Sequence, residues 1–347
     1  MYNIVFAYRL INGTNAYEMY KAFKRNKQVN IIPLFNNLED GIYDSLNYSL
    51  IDKIFYKLKI PIDKENLNRK LLSFDFNNID ILFTVKGNTI KPSTLKILKN
   101  KYPKLKIISW SLDDMYAWHN RSIYYTLGLK YYDLVVTTKF YNIEELKKLG
   151  AKEILFTYQA YSKDIHKPCE KCQNVNTKHD VLFIGFAEKE RFLYMNFLAE
   201  NGIKVHVYGH GWDKKIYKDH HKNLIIHNRG LKGKEYSNAI SCSKITLCFL
   251  RKINRDQHTS RSIEIPACKG FMLAERTEEH KKLFEEDKEA VYFDTKEELL
   301  EKVKYYLTNE NKRKKIAKAG YQRAINSSYS YDDKVDEILN YYKSNLI

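Results

Sequence analysis

The sequence predicts an α/β protein made of two consecutive doubly wound, Rossmann-like domains that face one another across a cleft. Three observations carry this expectation. Short β-rich apolar runs alternate with longer amphipathic stretches, the pattern of βαβ units and a parallel sheet, and the series occurs twice. A polar, aperiodic stretch at 163–178 separates the two series, as an interdomain connection does. The 347 residues also exceed the roughly 250–300 over which a single hydrophobic core keeps growing.

In the first half, strands are expected at Asn3–Ala7, Val29–Leu34, Ile79–Val85, Leu105–Trp110, Leu134–Thr137 and Ile154–Thr157. A helix should follow Pro92, because proline is tolerated in a first turn. Another should run from Asn142 to Leu149 and close at Gly150. After the connection, strands are expected at Val181–Ile184, Val205–Tyr208, Leu224–Ile226, Ile245–Leu250, Phe271–Ala274 and Ala290–Phe293, with a helix over Lys189–Ala199. Two helices should fill 295–327, presenting Leu299, Leu300, Val303 and Leu307, then Ile316, Ala319 and Ile325, at helical spacing. The organisation is therefore a first domain at 1–162, a connection at 163–178, a second domain at 179–330, and a last helix at 331–347 that packs back on the first domain.

Composition narrows the class. With 44% hydrophobic and 29% charged residues, the chain is a folded protein, neither disordered nor membrane-spanning. Arg9 interrupts the first apolar run, so no signal-peptide core forms, and no later run is long enough for a bilayer. A cytoplasmic location is expected, with the inner membrane face as a peripheral site. Five cysteines over this length do not make a disulfide scaffold. The net charge of +17 attracts polyanions, whether phosphates, nucleic acid or an anionic leaflet, although solvated lysines account for part of it.

Ligands of open α/β sheets bind beyond the carboxyl ends of the strands. The richest such position runs from Phe249 to Arg276. A strand ends, a loop bearing Arg251, Lys252, Arg255, Asp256, His258, Thr259 and Ser260 follows, and a helix begins near Ser260, carrying Arg261, Ser262 and Glu264. The unsatisfied N–H groups of a helix start suit a diphosphate. Arginines add charge-assisted, bidentate bonds, and Glu264 could accept two ribose hydroxyls. A solvated basic loop with a first-turn carboxylate would look the same. In the first half, Asp113 and Asp114 follow a strand end, where one could serve as a base or simply cap the next turn. His166-x2-Cys169-x2-Cys172-x6-His179 has ligand types that suit tetrahedral zinc, though its spacing is irregular and it lies in the connection.

The segment His258-Thr-Ser-Arg-Ser-Ile-Glu-Ile-Pro-Ala-Cys-Lys-Gly-Phe resembles the spore-maturation-type (CgeB-like) glycosyltransferases, a branch of the GT-B nucleotide-sugar transferases. Val85-Lys-Gly-Asn, Ser109-Trp-Ser-Leu-Asp-Asp-Met, Phe183-Ile-Gly-Phe-Ala-Glu-Lys-Glu-Arg, Val207-Tyr-Gly-His-Gly-Trp and Ala239-Ile-Ser-Cys-Ser-Lys-Ile resemble family segments in the family order. The resemblance implies a GT-B fold, a C-terminal donor domain and an N-terminal acceptor domain. It implies a nucleotide-sugar co-substrate, here of UDP, GDP or dTDP type, and no obligatory metal or other cofactor; the acceptor, a glycan, lipid-linked glycan or protein, is not identified by the sequence. It also places Gly185, Lys189 and Arg191 at the donor diphosphate, and Tyr208, Gly209 and Gly211 at the wall near the base. Related retaining enzymes carry two glutamates separated by seven residues. Glu264 matches the second, and Asp256 stands in place of the first. A DNA-modifying transferase using the basic surface, or a nucleotide-sugar-binding scaffold without turnover, are the alternatives.

Overall fold

The computed structural model describes residues 1–36, 38–39, 54–55, 57–172 and 179–347. It divides into two compact units, one of residues 1–158 with 331–347, the other of residues 159–330.

The first unit holds strands β1 (Tyr2–Ala7), β2 (Leu10–Ile11), β3 (Val29–Pro33), β4 (Leu38–Glu39), β5 (Ile81–Val85), β6 (Lys106–Ser111), β7 (Leu134–Thr137) and β8 (Ile154–Phe156). Six of them form a parallel sheet in the order β3-β1-β5-β6-β7-β8, and β2 pairs with β4 apart from it. Residues 4–7 and 134–137 are buried throughout, as befits strands covered on both faces. Helix Asn15–Arg25 is capped by Thr14, whose Oγ1 accepts from the Tyr17 N–H at 3.3 Å. Helix Tyr331–Asn345 packs against it, held by Arg25–Asp332 at 2.7 Å, Asn26–Asp336 at 2.8 Å and Tyr341–Glu153 at 2.7 Å.

The second unit holds β9 (Val181–Ile184), β10 (Val205–Tyr208), β11 (Leu224–Ile226), β12 (Ile245–Cys248), β13 (Met272–Glu275) and β14 (Val291–Phe293). They form a parallel sheet in the order β11-β10-β9-β12-β13-β14. Val181, Phe183, Val205, Val207 and Leu247 pack with Met195, Leu198, Leu299 and Val303 into one core cluster. In the last pair of helices, Lys296–Thr308 and Glu310–Asn326, Ile316 is buried as expected. Ile325 is instead exposed, and its neighbour Ala324 takes the buried place.

Strand order locates the binding edge of each sheet. In the second unit the order reverses between β9 and β12, the first and fourth strands of that unit, and such a switch point opens a crevice at the strand ends. The residues after Ile184 and after Cys248 therefore rim it. In the first unit the reversal lies between β1 and β5, so the residues after Ala7 and Val85 hold the equivalent place.

Two departures from the sequence expectations have local causes. β12 stops at Cys248 instead of Leu250, because the Leu250 N–H turns to the Glu275 carboxylate at 2.9 Å. The expected connection does not run free over 163–172. His166 is buried, the Cys169 N–H donates to Ser241 Oγ at 2.9 Å, and Cys172 is bonded to Cys242. Residues 173–178 lie outside the described residues. No helix among the described residues is long and apolar enough to cross a membrane.

Candidate functional site

The start of helix Ser260–Ala267 is built by a chain of internal hydrogen bonds. Ser262 Oγ accepts from the Thr259 N–H at 3.0 Å and lies 2.7 Å from His280 Nε2. His280 Nδ1 is 2.6 Å from the Glu275 carbonyl, which can only accept, so the ring proton sits on Nδ1 and Nε2 takes the Ser262 hydroxyl proton. Burial pulls His280 down to about 4, consistent with that neutral ring.

His258 works in the same way. Its Nε2 accepts from the Gln159 N–H at 3.0 Å, and its Nδ1 donates to Glu279 Oε2 at 2.5 Å. Both ring nitrogens are engaged and the side chain is fully buried. His258, Thr259 and Ser262, expected to touch a donor, are therefore buried parts of the frame that shapes the loop. Ser260 Oγ donates to Gln159 Oε1 at 2.5 Å, which ties the helix start to Gln159 a second time.

Two guanidiniums meet beside this helix start. Arg191, in helix Lys189–Glu200 after β9, is 4% exposed. It donates to the Phe186 carbonyl at 3.1 Å and lies 3.6 Å from Glu188. Burial first, and the charge of Arg261 second, lower it to about 10. The Nε atoms of Arg191 and of Arg261 are both buried without a hydrogen-bond partner. Two like charges held together with unsatisfied donors are costly unless an anion lies between them. Lys189 is exposed at the first turn of its helix, and Arg251 is paired with Glu188 at 3.0 Å.

Glu264 is nearly buried. Its Oε2 accepts from Tyr236 Oη at 2.6 Å, and its Oε1 lies 3.8 Å from His166 Nε2, too far for a hydrogen bond. Since His166 Nδ1 accepts from the Ser162 N–H at 2.9 Å, the proton rests on Nε2. The carboxylate is thus oriented from one side by Tyr236, whose hydroxyl is pushed well above its ordinary range by burial and then by Glu264. Asp256 is half-buried in the loop and takes Asn254 Nδ2 at 2.7 Å, just after Arg255, which adopts a left-handed φ of 47°.

The glycines after β9 and β10 serve close approach. A Cβ on Gly209 (φ +142°) would lie 1.9 Å from the Gly185 carbonyl oxygen, and that oxygen also accepts from Trp212 Nε1 at 3.0 Å. Gly211 has a φ of +83°, and a Cβ there would meet Ala187 Cβ at an ordinary contact distance of 3.6 Å. Tyr208 does not offer a free ring. It is buried, stacked on His227 at 4.0 Å, covered by Arg229 at 5.2 Å, and its hydroxyl meets His179 Nε2 at 3.1 Å. His179 in turn stacks on His206 at 3.7 Å, and His206 Nδ1 meets His227 Nε2 at 3.1 Å.

The four residues whose types could suit zinc do not gather at one point. His166 faces Glu264, His179 joins this ring block, and Cys172 is bonded to Cys242 within 4.8 Å of Cys169. In the first unit, Asp114 is fully buried, and its Oδ1 accepts from the Tyr116 and Ala117 N–H groups at 3.1 and 3.2 Å and from Asn142 Nδ2 at 2.8 Å. It caps a turn and is closed to a substrate, which corrects its expected catalytic place. Asp113 is partly exposed and ion-paired with Lys86. Sequence reasoning passed over Gln159, Tyr236, Glu279 and His280. The contacts by which they hold Ser262, His258, Glu264 and Ser260 span 18 to 101 positions, and no local pattern could have flagged them.

Residues 189–340 match the model of a family described as glycosyl transferase-like. No curated protein sequence matches the chain. Sucrose-phosphate synthase from Thermosynechococcus elongatus is similar in structure, with 10% identity, a TM-score of 0.65, and 99% of this chain and 98% of that chain covered. HepE of Anabaena, solved in complex with UDP and glucose, has 10% identity and a TM-score of 0.63 over 98% of this chain and 100% of that one. A glycosyltransferase from Rickettsia africae has 14% identity and a TM-score of 0.59 over 99% and 98%. The fold is GT-B, and residues 189–340 carry the glycosyl transferase-like match.

Proposed function

We propose that the chain transfers a sugar from a nucleotide-diphosphate sugar of UDP, GDP or dTDP type to a glycan, lipid-linked glycan or protein, with retention and without a metal ion. The observation that carries this is the pair Arg191 and Arg261, whose buried Nε donors lack partners at the switch point beside the start of helix Ser260–Ala267. A diphosphate supplies the missing acceptors and relieves the repulsion. The complex of HepE with UDP and glucose favours UDP among the bases. The segment from His258 to Phe271 supports membership of the spore-maturation-type branch.

As the bond to the leaving phosphate breaks, negative charge grows on the diphosphate. Arg191, Arg261 and the helix start stabilise that charge, and preorganised donors of this kind need no rearrangement. Glu264, oriented by Tyr236, accepts the ribose hydroxyls through Oε1. Asp256 lies near the transferred sugar, and the leaving phosphate takes the acceptor proton on the same face. Asp113 is the first unit's candidate for contact with the acceptor hydroxyl.

Isothermal titration with UDP, GDP and dTDP tests this. One of them should bind, and Arg261→Gln should weaken it by at least about tenfold, the loss of one charge-assisted contact, with the melting temperature of the free protein unchanged or raised. Absence of binding by all three, together with stabilisation by duplex DNA, would point to the nucleic-acid alternative.

A further inference from the structure

Three sulfurs converge outside the candidate site. Cys172 and Cys242 are joined as a disulfide with Cα atoms 5.2 Å apart. Cys169 is a half-exposed free thiol, and the three sulfurs lie within 4.8 Å of one another. The convergence does not depend on the S–S bond. Segment 165–172 runs along helix Gly233–Cys242, and hydrogen bonds form its rungs. Ser237 Oγ donates to the Ile165 carbonyl at 2.5 Å, one turn before Ser241 Oγ accepts from the Cys169 N–H at 2.9 Å. Ser241 Oγ itself donates to the Cys268 carbonyl at 2.5 Å. With the disulfide open, these rungs still hold the three side chains in reach.

We propose that Cys169, Cys172 and Cys242 form a thiol–disulfide exchange site with two alternative pairings. The Cys169 thiolate attacks Cys172 Sγ, the Cys169–Cys172 bond forms, the Cys172–Cys242 bond breaks, and Cys242 leaves as a thiolate. The proton given up by Cys169 is made good at Cys242 from solvent. Electrons balance within the three sulfurs, so the exchange needs no oxidant, and a small-molecule thiol–disulfide couple sets how much of the site is fully reduced. Cys248 and Cys268 stay out of it. Both are buried free thiols, and burial pushes Cys248 up to about 11 and Cys268 higher still.

The two pairings differ in what they tie together. Cys172–Cys242 spans 70 positions and staples segment 165–172 to the helix. Cys169–Cys172 closes only a short ring within the segment and leaves the helix end untied, and a long loop constrains a chain more than a short one. The exchange concerns sulfur connectivity alone and stands whether or not a nucleotide sugar binds.

The full-length protein is equilibrated in glutathione redox buffers, trapped with acid and N-ethylmaleimide, and mapped by mass spectrometry. Wild type should yield both Cys172–Cys242 and Cys169–Cys172 linked peptides. C169S should keep only the first, and C242S only the second, with circular dichroism reporting whether each is folded. If C242S does not fold, the comparison of wild type with C169S decides, because loss of the Cys169–Cys172 peptide in C169S requires its presence in wild type. No such peptide in wild type at any buffer ratio would overturn the proposal. So would one tightly held zinc per reduced chain that is absent in C169S, since that would make the three sulfurs a metal site.

Discussion

Arg191 and Arg261 each keep a buried Nε without a hydrogen-bond partner, a feature they share with Arg121 among the described residues. A second group of residues stores free energy against protons. Burial first, then neighbouring imidazoles, pull His179 and His206 down to about 4, and burial likewise lowers His227. The unfolded chain would titrate these rings near 6.5, so between pH 6.5 and 4 it binds more protons than the native state. Stability supplied by the neutral block is therefore complete above pH 6.5 and falls progressively as pH drops towards 4. Urea melts at pH 7.5, 5.5 and 4.5 should show a falling midpoint, with a shallower fall in His206→Phe. An identical pH profile in that variant would remove the block as the source. At this scale the sequence showed which residue types gather near a strand end, but not which way they point. His258 and Ser262 stand in the same motif as Arg261 and Glu264, yet they face the frame. Loop residues follow no period of two or 3.6 that would reveal the inward side.

Helix Ser260–Ala267 shows how an element start can depend on distant partners. Ser262 Oγ serves the Thr259 N–H and His280 Nε2 together, so Ser262→Ala leaves two buried groups unpaired. The expected cost is about 1–3 kcal/mol, measured by urea denaturation at pH 7.5; a change within experimental scatter would mean that water replaces the hydroxyl. Elements themselves were legible wherever periodicity and burial agree. β7, β9, β10 and β11 lie where the apolar runs place them. Ends were less so, since β12 is cut short by Glu275, a residue 25 positions on. The segment over 163–172 was misjudged for a physical reason. Its polar composition suits a solvated connection, but it is anchored through backbone groups, serine hydroxyls and sulfur, none of which adds to apolar pattern.

At the scale of the molecule, twelve of the strands form two all-parallel sheets, as the twice-repeated alternation predicted. That strand order differs between the two sheets was not legible in the residues, because order depends on which edges pair. The first unit needs helix Tyr331–Asn345 to finish its core, for Val335, Ile338, Leu339 and Tyr342 are buried there. Each such aliphatic side chain contributes ~1.5–3 kcal/mol. A chain ending at Ser330 should therefore lose most of the first unit's stability while the second unit, complete within 159–330, still melts cooperatively in calorimetry. Loss of both transitions together would mean that the two units do not unfold separately.

The same division sets an order of birth on the ribosome. The unit begun first is finished last, because residues 1–158 must wait for residues 331–347, whereas the unit of residues 159–330 is whole as soon as Ser330 emerges. Domains form as units during synthesis, so the second unit should mature while its older neighbour still lacks a wall. In that interval the apolar patch destined for helix Tyr331–Asn345 is open to chaperones. Premature release of the nascent chain would free a molecule that is half finished at its beginning.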